Sequence, residues 1–365
     1  MSPPFDTDYP ADTLEFCPNE GSTDIFVCGT YKLIERPPQP ESEEPSPPQP
    51  AKRIGQCMVF RVKDAEVPEG EAPFTHTQSL DFPAIPDMKW CHGSALEKPT
   101  LGIADSEGSI TLCQWDAATS ELQRINSVRC ADPTTLCLSL DWNNRIKGSS
   151  QLGDLVVSLS NGSLCHLQPD STGGLTVTSE WNAHDYEPWI ASWNYHDINV
   201  IYSGGDDLKM KAWDTRAGFE MPIFVNKRFD AGVTCIQSHP YDPNQIAVGS
   251  YDAKVRIFDP RNLARPTSDL AVGGGVWRVK WHPHPERKTD LLVACMHDGF
   301  KITRFSDSGS PTIIKEFTEH ESLAYGTDWS YAPSSKKTGG EGNEYPESWV
   351  GTCSFYDHRL HVWSG

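Results

Sequence analysis

The 365-residue chain has no basic run, no membrane-length apolar stretch and no closely spaced pair of cysteines. Its formal net charge of -19 disfavours binding to nucleic acid or to an anionic membrane surface. No window approaches the roughly 18 to 20 apolar residues of a membrane helix. Eleven cysteines without C-x-x-C spacing indicate neither a disulfide framework nor a zinc knuckle. Since the start also lacks a basic stretch followed by an apolar one, we expect a soluble, cytoplasmic monomer with reduced thiols.

The sequence motifs of two common classes of hydrolase are also missing. No G-x-S-x-G string marks the nucleophile of an α/β-hydrolase, and no H-E-x-x-H spacing marks a zinc protease. We therefore predict no metal and no cofactor.

What the chain does contain is a repeat. An apolar strand, a tight polar turn ending near Asp and a strand closing on Trp or Phe recur at 101–116, 200–214, 246–259, 291–305 and 349–363. Weaker copies lie at 155–170 and, split in two, at 24–33 and 55–62. Closing aromatics are 45 residues apart from Trp213 to Phe258 and 47 apart from Phe258 to Phe305, near the roughly 40 to 45 residues of a WD blade.

Each copy follows another strand pattern, so the repeat predicts four-stranded blades once a variable outer strand is added. Residues 1–365 are predicted to form one all-β, seven-bladed WD-repeat β-propeller. The last copy leaves no residues for an outer strand, and the N-terminal segment at 5–10 is expected to close that blade. Insertions rich in Pro, Gly or charge, which we expect to be flexible or disordered, interrupt the repeat at 36–52, 64–75 and 332–348.

Four residues of the 200–214 copy match the buried hydrogen-bond chain typical of WD blades, and we interpret them as structural: His184, Ser203, Asp207 and Trp213. The two following copies lack this set, because Val248 and Ala294 stand where Ser203 stood. Functional residues often lie in unusual loops on a rigid scaffold, so we expect these two copies to contribute to the functional site.

The position before each turn Asp is predicted to face the top rim of the central channel. It holds Asp206, Tyr251, His297 and Tyr356, and nearby loops add His358, Glu187, Trp189, Trp277 and Tyr325. Aromatic faces with carboxylates suit a quaternary ammonium ion, and imidazole with carboxylate suits general acid-base catalysis. Composition alone favours a third reading, a rim that docks another protein, because Tyr and Trp are also interface residues.

Several strings go beyond a generic repeat: HDYEPWIASWNY, YSGGDDLKMKAWDTR, GSYDAKVRIFDPRN, GGGVWRVKWHP, ACMHDGFKI, LAYGTDWS and CSFYDHRLHVW. With CGTYKL and DMKWCH they resemble the diphthine methyl ester hydrolases, WD-repeat proteins of diphthamide biosynthesis. The resemblance runs in order from LEFCP to the C-terminus. It implies a carboxylic ester hydrolase that removes the methyl ester from methylated diphthine on translation elongation factor 2. That substrate carries a trimethylammonium group beside the ester, which fits an aromatic and acidic rim.

The chemistry that remains is a water molecule activated by a side chain. We predict His297 as the base, with His358 and Asp206 as secondary catalytic candidates. The predicted substrate-binding residues are Tyr251, Trp277, Tyr325, Tyr356, Glu187 and Trp189. Ser354 or Cys353 is an alternative nucleophile, although strand packing is the commoner role. A non-catalytic WD-repeat scaffold that holds a peptide or protein on its top face is the alternative function.

Overall fold

In the computed structural model, the chain is described at residues 3–35, 51–63, 68, 70–93, 98–146, 151–306, 309–332 and 347–365. Within these ranges it is all-β apart from a short 3-10 turn at Pro285–Arg287, and no helix there is long and apolar enough to cross a bilayer. The strands form seven sheets in a ring, which confirms the predicted seven-bladed propeller. Most of the first insertion and of the third, and part of the second, lie outside the described residues, whereas Phe74 and Thr75 belong to a strand.

The strands follow one another blade by blade. Blade 1 contains β2 to β6, at Ala11–Phe16, Ile25–Thr30, Lys32–Leu33, Arg53–Val62 and Phe74–Pro83. Blade 2 contains β7 to β10, at Asp87–Trp90, Thr100–Ala104, Ser109–Asp116 and Glu121–Arg129. Blade 3 contains β11 to β14, at Cys137–Trp142, Leu155–Leu159, Ser163–Pro169 and Leu175–Asn182. Blade 4 contains β15 to β18, at Ile190–Trp193, Val200–Gly204, Met210–Asp214 and Phe224–Asn226.

The remaining blades complete the ring. Blade 5 contains β19 to β22, at Val233–Ser238, Ile246–Ser250, Lys254–Phe258 and Ser268–Ala271. Blade 6 contains β23 to β26, at Arg278–Trp281, Asp290–Ala294, Phe300–Arg304 and Thr312–Phe317. Blade 7 contains β27 to β29, at Ala324–Trp329, Trp349–Ser354 and Arg359–Ser364, and its outer strand is β1, at Phe5–Asp6. Phe5 pairs with Leu360, so the N-terminal segment closes the last blade as predicted.

Large side chains at the ends of the innermost strands join neighbouring blades. Five of the seven strands end on Trp, and burial of such rings supplies most of the packing between sheets. Four of these indoles donate to a backbone carbonyl of the preceding blade: Trp90 to Glu15, Trp142 to Lys89, Trp193 to Asp141 and Trp329 to Lys280, at 2.9 to 3.4 Å. Packing and register between blades are therefore set by one repeated contact.

The residue before each of these ends is polar and buried: Glu15, Lys89, Asp141, Ser192, Gln237, Lys280 and Asp328. The charged members are paired, with Lys280 Nζ 2.5 Å and Lys89 Nζ 3.0 Å from Glu15 Oε1. Buried charges are tolerated only when they are paired in this way. A layer of ion pairs thus crosses the middle of the channel and separates its two mouths.

Turn chemistry explains the tight polar turns of the repeat. In blade 2 the Asp105 carboxylate accepts the backbone N–H groups of Glu107 and Ser109, at 2.8 and 3.0 Å. Gly108 has φ +75°, and a Cβ there would lie 2.8 Å from the Asp132 carbonyl oxygen. Only glycine fits this turn without strain.

Candidate active site

A cavity of about 480 Å³ opens at the mouth where the innermost strands begin. Each blade contributes to its wall the residue four positions before the end of its innermost strand: Asp12, Pro86, Leu138, Trp189, Thr234, Trp277 and Tyr325. Further lining residues come from neighbouring loops and strands, among them Tyr31, Arg53, Glu187, Arg278 and Phe355. One sequence position, repeated seven times, builds this site.

Four of these wall residues lie in β-bulges, outside the regular ladder: Asp12, Leu138, Thr234 and Tyr325. In β2 the register shifts between Ala11 and Thr13, so Asp12 is the unpaired extra residue of a β-bulge. Bulges recur in β11, β19 and β27, while Pro86, Trp189 and Trp277 precede their strands. Because a bulge re-aims a side chain that would otherwise follow the pleat, the mouth receives side chains that regular strands would turn away.

Asp12 has the most unusual environment in the cavity. Its residue surface is 7% exposed, and Oδ1 is buried without a hydrogen-bond partner. Burial raises the pKa of the carboxyl to about 7, although Arg278 lowers it; Asp87 adds to the rise. A carboxyl that titrates near neutrality can take up and release a proton at physiological pH.

Two donors beside Asp12 are also unsatisfied. Arg278 uses its terminal nitrogens on Asp87 Oδ1 at 2.8 Å and the Pro86 carbonyl oxygen at 3.0 Å, which leaves Nε buried and unpartnered. Trp277 Nε1 is likewise buried without a hydrogen bond of normal geometry, although it lies close enough to Asp12 to lower the pKa of that carboxyl. Since buried polar groups in folded proteins are almost always hydrogen-bonded, a carboxyl and two N–H groups left open at one cavity indicate a polar ligand.

Aromatic rings line much of the same wall. Trp277 stacks on Tyr325 with centroids 4.7 Å apart and packs against Trp189 at 5.6 Å, and Tyr325 contacts Phe355 at 5.2 Å. Trp189 Nε1 donates to Asp206 Oδ1 at 2.8 Å, and Glu187 adds a second carboxylate at the edge. Ring faces next to two carboxylates are suited to an organic cation.

No group of three or more His, Cys, Asp or Glu side chains that could hold a metal ion occurs in the described part of the chain. The chemical groups that this mouth offers are therefore a titrating carboxyl, guanidinium and indole N–H groups, and aromatic faces.

Comparison with known proteins places the chain among its relatives. The WD domain, G-beta repeat model matches residues 224–259. Diphthine methyltransferase of Mus musculus is 37% identical over 89% of this chain and 68% of its own length. Diphthine methyltransferase of Homo sapiens is 33% identical over 98% of this chain and 97% of its own, and the Dictyostelium discoideum homolog is 34% identical over 98% and 96%. The chain belongs to the diphthine methyltransferase family.

The resemblance read from the sequence is thereby confirmed. A chain in the crystal structure of the mitotic checkpoint complex matches at a TM-score of 0.67, over 100% of this chain and 93% of that one. With 15% identity that likeness concerns the propeller fold alone. Any assignment of function to this diphthine methyltransferase family member must rest on its relatives and on the cavity.

Four of the predicted substrate-binding residues line the cavity: Glu187, Trp189, Trp277 and Tyr325. Tyr251 lies behind them, with its ring centroid 6.1 Å from that of Trp277. Tyr356 is 69% exposed and contacts Phe355, outside the lining. Tyr356 is thus a residue of the outer rim rather than of the cavity wall.

The three predicted catalytic residues do not line the cavity. His297 is exposed and does not line the cavity. His358 does not line it either; its backbone has φ +57°, and its carbonyl oxygen accepts the Thr7 N–H at 2.9 Å. His297 therefore does not contribute to the wall of this cavity, and its role as the base stays a prediction. Asp206 lies near the site, but its Oδ1 is engaged by Trp189.

Blades 5 and 6, whose missing hydrogen-bond chain pointed to His297, hold their turns in another way. Blades 5 and 6 lack the His–Ser chain, but they replace it with ion pairs: Asp252 binds Arg256 at 2.7 Å and Asp298 binds Lys301 at 2.6 Å. In these blades one stabilising device stands in for another. The loss of the His–Ser chain therefore does not mark a functional site.

The predicted chain of blade 4 is present in the structure. His184 bonds Asp207 through Nδ1 at 2.8 Å and Ser203 through Nε2 at 2.7 Å, and Trp213 Nε1 donates to the same serine at 2.9 Å. Burial lowers the pKa of His184, so its ring is neutral at physiological pH.

Blade 7 contains a second such chain that the sequence reading missed. His320 Nε2 bonds Thr352 at 3.0 Å, and Trp363 Nε1 donates to the same threonine at 3.3 Å. Ser354 bridges His320 and Asp357, at 2.5 Å to each. Ser354 and Cys353 are fully buried here and do not line the cavity, so the alternative of a nucleophile at either position fails on access.

Asp12, Arg278 and Arg53 were missed, although the sequence contained a signal for Asp12. Trp189, Trp277 and Tyr325 were identified in loops entering the innermost strands, four residues before the strand ends. Applying the same count to the first innermost strand, which ends at Phe16, reaches Asp12. Arg53 gave no such signal, because it follows an insertion that breaks the repeat.

Proposed function

We propose that this protein is a carboxylic ester hydrolase that removes the methyl ester from methylated diphthine on translation elongation factor 2. The proposal is supported by membership of the diphthine methyltransferase family and by one observation above all. A carboxyl with a pKa near 7 and two unpartnered N–H donors converge on one cavity.

The ionised form of Asp12 is placed to act as the general base. It accepts a proton from a water molecule, whose oxygen attacks the ester carbonyl carbon. The oxyanion that develops accepts hydrogen bonds from Arg278 Nε and Trp277 Nε1, two of the buried donors at the cavity and the two that lie beside Asp12. Asp12 then returns its proton to the methoxide as the C–O bond breaks. The products are methanol and the diphthine carboxylic acid, which ionises.

The trimethylammonium group of the substrate would bind to the aromatic residues of the cavity wall. The faces of Trp189 and Tyr325 can contact the methyl groups, while Glu187 and Asp206 supply negative charge. Each ring contributes about 0.5 to 2 kcal/mol to such a contact, depending on desolvation. This arrangement orients the ester toward Asp12 and Arg278.

The relatives are named for methyl transfer, whereas the proposed reaction removes a methyl group by hydrolysis. One experiment distinguishes addition of a methyl group from its removal. Elongation factor 2 bearing methylated diphthine is incubated with the protein in ¹⁸O-labelled water, with and without S-adenosylmethionine. Hydrolysis predicts loss of one methyl ester in both samples, release of methanol and one ¹⁸O in the new carboxylate. A methyl gain that requires S-adenosylmethionine would overturn the proposal. Tight binding with unchanged mass would favour the scaffold alternative.

We further propose that the protein acts as a monomer in the cytosol. All eleven cysteines are buried free thiols, which suits a reducing compartment. Sedimentation velocity of the purified protein, together with fractionation of cells, tests both statements. A stable dimer, or a protein confined to an organelle, would contradict them.

A further inference from the structure

One of the five tryptophans that end innermost strands breaks the rule that joins the blades. Trp90, Trp142, Trp193 and Trp329 each donate the indole N–H to a carbonyl of the preceding blade. Trp281 occupies the same position in blade 6, is 4% exposed, and has Nε1 buried without a partner. Its ring is fixed by His239, with centroids 4.5 Å apart. The indole N–H is therefore held in place with nothing to bind.

The Trp281 side chain lines a second cavity, of about 310 Å³, at the lower mouth of the channel. The ion-pair layer lies between it and the candidate active site. Arg145, Tyr195, Gln237 and Tyr331 also line this lower cavity. Since one water occupies roughly 30 Å³ in the liquid, the space is large enough for an organic molecule.

The side chains around the lower cavity offer more donors than free acceptors. Gln237 Oε1 already accepts the Trp281 backbone N–H at 2.7 Å, and both Asp141 oxygens are used, by Arg145 Nε at 3.3 Å and by the Trp193 N–H at 2.9 Å. Burial raises the pKa of Tyr331 and of Tyr195 above their ordinary value, so both hydroxyls keep their protons. An indole N–H, a guanidinium and two phenol hydroxyls can all donate hydrogen bonds, so they suit a ligand that accepts them. Among organic groups a carboxylate is a strong acceptor, because its negative charge strengthens the hydrogen bond.

We propose that the lower mouth is a binding site for a small aromatic carboxylate, held by Trp281 Nε1 and Arg145. The aromatic part of the ligand packs between Tyr195 and Tyr331, and the carboxylate lies at the deep end of the cavity. This site is independent of the ester hydrolysis proposed above, because none of its residues lines the upper cavity.

The test uses benzoate as the probe and the indole N–H signals of the full-length protein as the readout. The chain has 12 Trp, and the Trp281 signal is assigned by its disappearance in Trp281→Phe. Benzoate is expected to shift the Trp281 signal in a saturable manner and to leave that of Trp277 unchanged. Benzamide, which has the same ring but no charge, is expected to bind at least about tenfold more weakly, as a charge-assisted hydrogen bond requires.

Matched variants complete the test. Trp281→Phe keeps the ring and removes the N–H, so benzoate affinity should fall about tenfold or more while ester hydrolysis stays at the wild-type rate. Trp142→Phe removes an indole N–H that is already bonded to Lys89, so it should lower the melting temperature and leave benzoate binding intact. The proposal is overturned if benzoate shifts no indole signal, if it shifts Trp277 instead, or if Trp281→Phe binds benzoate as tightly as the wild type.

Discussion

Arg278 donates to Asp87 at 2.8 Å and leaves Asp12, at the same mouth, with a buried carboxylate oxygen that has no partner. If the guanidinium neutralised Asp12 directly, that carboxyl would stay ionised far below neutral pH. Instead burial outweighs the attraction, and the pKa of Asp12 rises to about 7. The ion pair with Asp87 thus keeps the arginine in place while Asp12 remains a group that can exchange a proton.

Asp12→Asn should reduce ester hydrolysis by roughly two to four orders of magnitude, the usual worth of a general base. The amide has nearly the same shape, so binding of the modified elongation factor should change little. Single-turnover rates and affinity, measured in parallel, check both statements. A variant with wild-type turnover would remove Asp12 from the mechanism.

The same substitution should change the pH dependence of stability. The folded-state pKa of Asp12 is raised from 3.8 to about 7, so the folded protein binds a proton that the unfolded chain releases. The contribution of Asp12 to the free energy of unfolding therefore falls as pH rises from about 4 to about 7, by at most about 4 kcal/mol. Denaturant unfolding at pH 5 and pH 8 should show this loss in the wild type and a smaller one in Asp12→Asn. Equal losses in the two proteins would contradict the assignment.

The pH profile of hydrolysis should report the same group. Because the ionised carboxylate is the active form, kcat/KM is expected to rise through a pKa near 7 in the wild type. Asp87 raises the pKa of Asp12, so Asp87→Asn should move this limb to lower pH. Melting temperatures are needed alongside, because Asp87 also pairs with Lys89 and Arg278 inside the channel. An unmoved limb in a folded variant would show that another group titrates.

The architecture was predictable because it rests on patterns repeated along the chain. Seven copies of a strand-turn-strand unit, and a last copy without an outer strand, are enough to give the ring and its closure by β1. The aromatic wall was also within reach, because Trp189, Trp277 and Tyr325 occupy one position of that repeat.

The acid-base group was harder to predict, because its properties do not lie in any local string. Asp12 gains its raised pKa from burial by strands distant in the chain and from Asp87, 75 residues away. His297 was predicted because its blade lacks the His–Ser chain and its position faces the rim, yet it is exposed and does not line the cavity. Direction at a turn depends on backbone geometry that repeat spacing does not specify.

His297→Ala and Ser354→Ala should differ in their effect on stability, and neither should affect the chemical step. His297 is exposed, so its removal should leave turnover and melting temperature near the wild-type values. The buried Ser354 bridges His320 and Asp357, which are half-buried, so its removal should cost about 1 to 3 kcal/mol of unfolding free energy. Turnover per folded molecule should stay normal in both. A large loss in His297→Ala would restore the histidine as the base.

Recognition of the ammonium group is tested by comparing two aromatic residues of the same face. Trp189 lines the cavity beside Asp206, whereas Tyr356 is largely exposed on the outer rim. Trp189→Leu should raise KM with kcat less affected, by up to about 30-fold, because a desolvated cation-π contact is worth up to about 2 kcal/mol. Tyr356→Leu serves as the matched control and should change KM by no more than about fivefold, since an exposed contact contributes less than about 1 kcal/mol. A substrate in which a neutral tert-butyl group replaces the trimethylammonium should bind the wild type at least as weakly as the natural substrate binds Trp189→Leu, because Tyr325, Glu187 and Asp206 also lose their interaction with the charge. If the neutral substrate binds the wild type as well as the cation does, the aromatic wall recognises shape and not charge.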